Sequence, residues 1–259
     1  MCDNNYNSCH GNYEKIGYHT FISEEDLPEV DTLQTFLIPP QEFFNKNINI
    51  SIYRETIKRW KNSKENIKKD RKIFVHGSYC INLSNPAIVS VNALRNQLRL
   101  ANEIDADGVV IHCGKYLKLQ PEEGKKLFMD SIGRAIDRAT EKCPIIIETC
   151  VGAGTELFWQ LEEFQDMVLS LVKIHGRKIG CCIDTAHCWG SGVSPRDFLN
   201  GLTGEMRGTI RLIHWNNSSV KRGSHTDRHA SINEGNIDPN ELWTIAHWAI
   251  QHKIPLVIE

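Results

Sequence analysis

Short apolar, β-branched runs recur at residues 17–22, 33–38, 72–75, 108–111, 144–147, 179–183, 209–213 and 255–258, each closing on polar residues. Several are continuously apolar rather than alternating, the pattern of parallel strands covered on both faces. Between them lie amphipathic, helix-like stretches at 92–104, 124–139 and 157–174. Asp238, Pro239 and Asn240 form a start signal for a further helix over 241–251. Strand–helix alternation predicts a parallel sheet. Eight such units in 259 residues predict an α/β fold of the closed (β/α)8 type, a TIM barrel, in a single domain. An open doubly wound sheet is the competitor, but no G-x-G-x-x-G or Walker-type loop follows an early strand. The barrel domain is expected over 14–259, with 1–13 a flexible polar tail and 58–71 a charge-rich helix with a solvated face. The chain stops at Glu259, so no eighth helix is expected, and one face of the last strand would stand open. Either the chain is shortened there, or a partner or the N-terminal region covers the gap.

Composition narrows the class. Apolar residues make up 41%, charged residues 24%, and the net charge is −2, which disfavours a disordered chain or a basic nucleic-acid tail. No run approaches 18 apolar residues, and the first fifteen residues have no apolar core, so neither a membrane span nor a secretory leader is expected. Nine cysteines without a C-x-x-C pair, several in apolar runs, fit reduced and buried thiols. A reducing compartment, cytoplasmic or nuclear, follows as the expectation.

The chemistry stands at the ends of the runs. Six successive strands close on His76, His112, Glu148, Asp184, His214 and Glu259. The first four positions are each 36 residues apart, one strand–helix unit per step, which returns these side chains to the same rim. Active sites of such barrels occupy that rim. Two loop clusters reach it as well: His187, three after Asp184 in DTAH, and the alternating Asp227 and His229 in DRH. Imidazoles and carboxylates are zinc donors. Nine are too many for one ion, whereas three ions with a bridging carboxylate would use them all. His10, His19, His175, His225, His247 and His252 read as surface or half-buried residues, with His19 left the most open of them because it lies on the first strand. Cys113 and Cys188 read as packing residues; Cys150, two after Glu148, shares its direction and stays open.

At these residues the chain resembles the endonuclease IV family of apurinic/apyrimidinic endonucleases. The match lies in HGSYCINLSNP from His76, CIDTAHCWGSG from Cys182, HWNNSS from His214 and DRHASINEGNI from Asp227. With the strands ending at His112, Glu148 and Glu259 it covers residues 16–259, and DTAHCWGSGV and DRHASINEG are nearer to the versions of large DNA viruses than to bacterial ones. A viral particle is therefore a further expected location.

The resemblance implies three zinc ions: one on His76, His112 and Glu148, a second on Glu148, Asp184, His214 and Glu259, and a third on His187, Asp227 and His229. It implies cleavage of the phosphodiester 5′ to an abasic site, leaving a 3′-hydroxyl and a 5′-deoxyribose phosphate, and trimming of blocked 3′ ends. Zinc lowers the pKa of water to about 7, and Glu148, bridge and proton acceptor, is the expected catalytic residue. The partner implied is double-stranded DNA carrying an abasic site, bound by a monomer, with the abasic nucleotide turned out of the stack. Tyr79 matches the family's aromatic wedge, and Cys80 follows it where leucine is usual. The loop after the second strand offers Phe43 and Phe44 but no arginine of the kind the family inserts. Asn217 stands where the family commonly has aspartate. Lys115, Lys118, Lys221, Arg222 and Arg228 are expected to form a basic crescent on the rim loops, which gives DNA contact to Lys221, Arg222 and Arg228. A sugar isomerase or epimerase on the same barrel is the alternative; it would hold one or two divalent ions. A catalytically idle binder of damaged DNA is the third reading.

Overall fold

The computed structural model describes residues 16–20, 22, 27–28, 30–38, 50–62, 71–86 and 88–259. Eight parallel strands close into a barrel: β1 (Ile16–His19), β2 (Thr32–Thr35), β3 (Lys72–His76), β4 (Val109–His112), β5 (Ile145–Glu148), β6 (Ile179–Asp184), β7 (Ile210–His214) and, after a two-stranded ribbon of β8 (Asn217–Ser218) and β9 (His229–Ala230), β10 (Leu256–Ile258). The helices of the outer ring are α1 (Ile50–Lys61), α2 (Ile88–Glu103), α3 (Pro121–Ala135), α4 (Leu161–His175) and α8 (Pro239–Gln251), with short α5 (Thr185–Ser191), α6 (Pro195–Gly201) and α7 (Gly204–Arg207) between β6 and β7. No helix among the described residues is long and apolar enough to cross a membrane. The expected tail at 1–13 lies outside the described residues.

All eight expected strands form, each shifted by a residue or a few. The helices differ more. Asp238 caps α8 as its start signal predicts, accepting from the Asn240 amide at 2.9 Å. The helix expected from 157 instead starts at Leu161, because the chain leaves β5 through Gly152, Gly154 and Phe158, all at positive φ and incompatible with a helix. Of the charge-rich helix expected over 58–71, residues 58–61 form the last turn of α1, and residues 63–70 lie outside the described residues. Arg71 is not on a solvated face: it is buried, with its guanidinium 4.9 Å over the Trp60 ring. The last strand is not left bare. β10 pairs with β1 and β7, and Leu256 and Val257 are buried.

One inner layer of the barrel connects fold to site. Phe74, Val110, Ile146, Cys182, Leu212 and Val257 form a small buried cluster of their own, apart from the main core. Each lies two residues before one of the six strand-end donors. Side chains on a strand repeat their direction every second residue, so a residue that packs on the barrel axis puts the donor two positions later over the same axis. The apolar plug below also desolvates the ring above it. Cys182 takes part as a packing thiol, pushed up to about 12 by burial.

Candidate metal centre

Strand register brings the donors together. His112 lies directly opposite Glu148, and Asp184 directly opposite His214, in neighbouring parallel strands. Such strands are about 4.8 Å apart, so donors 36 and 30 residues apart in the chain become near neighbours across the mouth. Glu148 sits at the middle and is fully buried. Its Oε2 lies 3.3 Å from His76 Nε2 and 3.2 Å from His112 Nε2. Its Oε1 lies 2.9 Å from His214 Nδ1 and 3.3 Å from His187 Nδ1. One carboxylate therefore faces separate sets of imidazoles with separate oxygens.

Asp184 ends β6 and caps α5. Its Oδ1 accepts from the His187 amide at 2.8 Å, which starts the helix so that His187 falls on the first turn, facing the ring. Its Oδ2 accepts from Asn216 Nδ2 at 2.8 Å and stands 3.7 Å from His214 Nδ1 and 3.6 Å from His229 Nε2. Asp227 approaches His187 Nε2 at 3.3 Å and His229 Nε2 at 3.2 Å. Glu259 Oε2 lies 3.1 Å from His214 Nδ1.

Among the described residues three groups have ligand atoms within 4.8 Å of one another: His76, His112 and Glu148; Glu148, Asp184, His214 and Glu259; and Asp184, His187 and His229. Eight of the nine sequence-derived donors fall in these groups. Asp227, expected in the third, does not: Asp184 takes its place there while also belonging to the second, and Asp227 approaches the third group only through His187 and His229. No cysteine enters these groups. Cys150, open from sequence, donates to Leu157 O at 3.3 Å, and Cys113 donates to Glu148 O at 3.2 Å.

The donor chemistry fits a cation. His76 Nδ1 lies 2.7 Å from Gly77 O and His187 Nδ1 lies 2.7 Å from Thr149 O. A carbonyl only accepts, so each Nδ1 bears a proton and each neutral ring turns a bare Nε2 toward a carboxylate oxygen. Two lone pairs facing each other call for a positive charge between them. Glu148 Oε2 and His229 Nε2 are moreover buried without a hydrogen-bond partner. In the metal-free chain protons take that role. Burial opposes charge throughout, yet Asp184, Asp227 and Glu148 hold His187 well above the imidazole range, and Asp184 and Asp227 push His229 up to about 9. Against its own burial, Glu148 is held well below the carboxylate range by His214 and His112.

Two rim residues were not assigned to the ring from sequence. His19 ends β1 with Nδ1 3.3 Å from Glu259 Oε1, and Gln34 on β2 reaches both Glu259 and His214. The available signal was a polar side chain interrupting each of the first two apolar runs. Tyr79 projects from the loop after β3 at 57% exposure, with Cys80 exposed beside it. Phe43 lies outside the described residues. The basic crescent is partly compensated: Lys115 pairs with Glu156 at 3.3 Å, whereas Lys118, Lys221, Arg222 and Arg228 are exposed on rim loops.

Asn217 touches none of the donors and staples the loop after β9. Its Nδ2 donates to Ile232 O at 2.7 Å and Ile237 O at 3.0 Å, and its Oδ1 accepts from the Ser218 and Ile237 amides. A carboxylate has no hydrogens for the two carbonyls. Asn217→Asp is therefore expected to cost about 1–3 kcal/mol, seen as a lower midpoint in urea unfolding; an unchanged midpoint would refute the staple.

Residues 39–247 match AP endonuclease family 2, described as a xylose isomerase-like TIM barrel. The chain is 28% identical over 258 residues to a probable endonuclease 4 of Mycoplasmopsis synoviae, covering 96% of this chain and 90% of the relative. It is 29% identical over 273 residues to a putative endonuclease 4 of Acanthamoeba polyphaga mimivirus, covering 95% and 85%. Its fold superposes on that of endonuclease IV from Thermus thermophilus with a TM-score of 0.75 at 20% identity, covering 94% and 91%. The ring of donors on a closed eight-stranded barrel and the match over most of the chain lead to one assignment: this protein belongs to AP endonuclease family 2, the xylose isomerase-like TIM barrels, as the resemblance of its motifs to endonuclease IV implies.

Proposed function

We propose that this protein is a zinc-dependent DNA-repair endonuclease that cleaves the phosphodiester 5′ to abasic sites, leaves a 3′-hydroxyl and a 5′-deoxyribose phosphate, and trims blocked 3′ ends. The observation that carries the reading is the fully buried Glu148, whose two oxygens face different histidine sets. When bound, zinc ions supply Lewis acidity toward a phosphate and bring the pKa of water to about 7. His76, His112 and Glu148 would hold one ion. Glu148, Asp184, His214 and Glu259 would hold a second, and His187, Asp227 and His229 a third, with Asp184 beside it. Glu148 would also hold the proton released from water, the role its buried position over the apolar plug allows. Tyr79 and Cys80 would fill the gap left by the extruded nucleotide.

A sugar isomerase would need one or two ions; three donor groups exceed that. The decisive experiment is incision of an end-labelled duplex carrying one tetrahydrofuran abasic analogue, with and without chelator. Chelator-sensitive nicking that leaves a polymerase-extendable 3′ end is expected, and a purified, zinc-loaded sample that leaves the duplex intact would overturn the reading. Binding should depend on salt through the four exposed rim cations. At about 0.9 per phosphate contact, log affinity should fall against log salt with a slope of about −3 to −4; a flat dependence would remove the crescent from the interface.

A further inference from the structure

The side chain of Gln34 belongs to none of the donor groups, yet it lies between two members of one. It is fully buried and stands opposite Phe74 of the inner layer. Its Nε2 lies 2.6 Å from Glu259 Oε1 and 3.0 Å from His19 Nδ1, and its Oε1 lies 2.8 Å from His214 Nε2. Chemistry fixes the direction of each contact. An ionised carboxylate oxygen only accepts, so the amide atom facing Glu259 is the NH2, and the flipped amide would set oxygen against oxygen. The atom facing His214 is then the carbonyl oxygen, which also only accepts. His214 Nε2 therefore bears a proton, and the lone pair of the neutral ring is on Nδ1. Nδ1 is the nitrogen that faces Glu148 Oε1 at 2.9 Å and Glu259 Oε2 at 3.1 Å. The same amide occupies Glu259 Oε1 and leaves Oε2 toward the ring. Its second hydrogen is directed at His19.

We infer that Gln34 is a positioning residue: one buried amide selects the nitrogen of His214 and the oxygen of Glu259 that are offered to the ion of the second donor group. The inference rests on the zinc reading above and adds to it a residue outside the nine donors. Partners of this kind typically change metal affinity about 10–100-fold when removed.

The test needs no DNA. Zinc-loaded wild type and Gln34→Leu are mixed with excess of a coloured zinc chelator, and release is followed in time beside elemental analysis and far-UV circular dichroism. In Gln34→Leu one of three ions is expected to leave about 10–100-fold faster, while the other two keep their wild-type rates. Gln34→Glu has the same shape and keeps the acceptor for His214 but loses the donor to Glu259. It should loosen the same ion, and it serves if the leucine variant does not fold. Cobalt loading provides a second readout, with the visible bands of one ion altered. Wild-type release from a folded variant, or loss of all three ions together, overturns the positioning role. A wild-type protein that retains no zinc overturns the metal-centre reading itself, and this inference with it.

Discussion

Glu148→Gln is expected to reduce incision of abasic duplex by about 10³–10⁴-fold, or about 4–6 kcal/mol at 1.36 kcal/mol per tenfold, and to lower the zinc content below three per chain. Glu148 Oε2 faces His76 and His112 while Oε1 faces His214. Glutamine keeps the shape but offers one acceptor oxygen, and its NH2 cannot bind a cation. The replacement therefore weakens two donor groups at once and removes the proton acceptor proposed between them. It also removes a negative charge from a fully buried position surrounded by imidazoles. The measurement is single-turnover incision beside elemental analysis, with circular dichroism to show that the barrel is intact. Near-normal turnover with three bound zinc ions would refute the bridging role.

Stripping the metal should cost stability in a way that depends on pH. Zinc present a thousandfold above a site's dissociation constant adds about 4 kcal/mol, or about 8–16 °C in Tm for a chain of this size. In the metal-free protein Glu148, Glu259 and Asp227 have pKa values held down by the surrounding histidines, although burial opposes this. Such carboxylates contribute stability above about pH 4, lost as the pH falls further. His112, His187 and His214 are raised, against burial, by neighbouring carboxylates, and His229 is raised to about 9. Raised imidazoles contribute stability that is complete below about pH 6.5 and is lost as the pH rises through their folded values. The metal-free Tm should therefore be highest at about pH 5–6.5 and decline toward pH 9. Zinc binds only the deprotonated donors, so its contribution grows over the same range. The gap between zinc-loaded and metal-free Tm should widen from about pH 5.5 to 8.5. A gap that stays constant or narrows would show that protons and metal do not compete for this ring.

The barrel and the ring of donors were largely legible in the linear chain, because both depend on periodicity. Continuous apolar runs ending in His, Glu or Asp declare strands that open on the C-terminal rim, and the i, i−2 relation links Phe74 to His76 and Ile146 to Glu148. Asp238 with Pro239 announced α8 because a cap acts through its own local hydrogen bond. Local rules gave less where the chain is bent by distant packing. The start of α4 at Leu161 follows from positive-φ turns after β5, and the burial of Arg71 from its contact with Trp60.

What the chain's order of residues determined, then, is which side chains carry chemistry and which end of the barrel receives them, since strand direction and side-chain alternation are local properties of the backbone. Partnership was decided by the closed sheet alone. Register sets His112 against Glu148 and Asp184 against His214, and barrel closure places β2 within reach of β7 and β10 although Gln34 is 180 residues from His214 and 225 from Glu259. No sequence pattern encodes an amide serving two donors that far apart, because the contact exists only once strand stagger and curvature have fixed which buried polar atoms must satisfy one another.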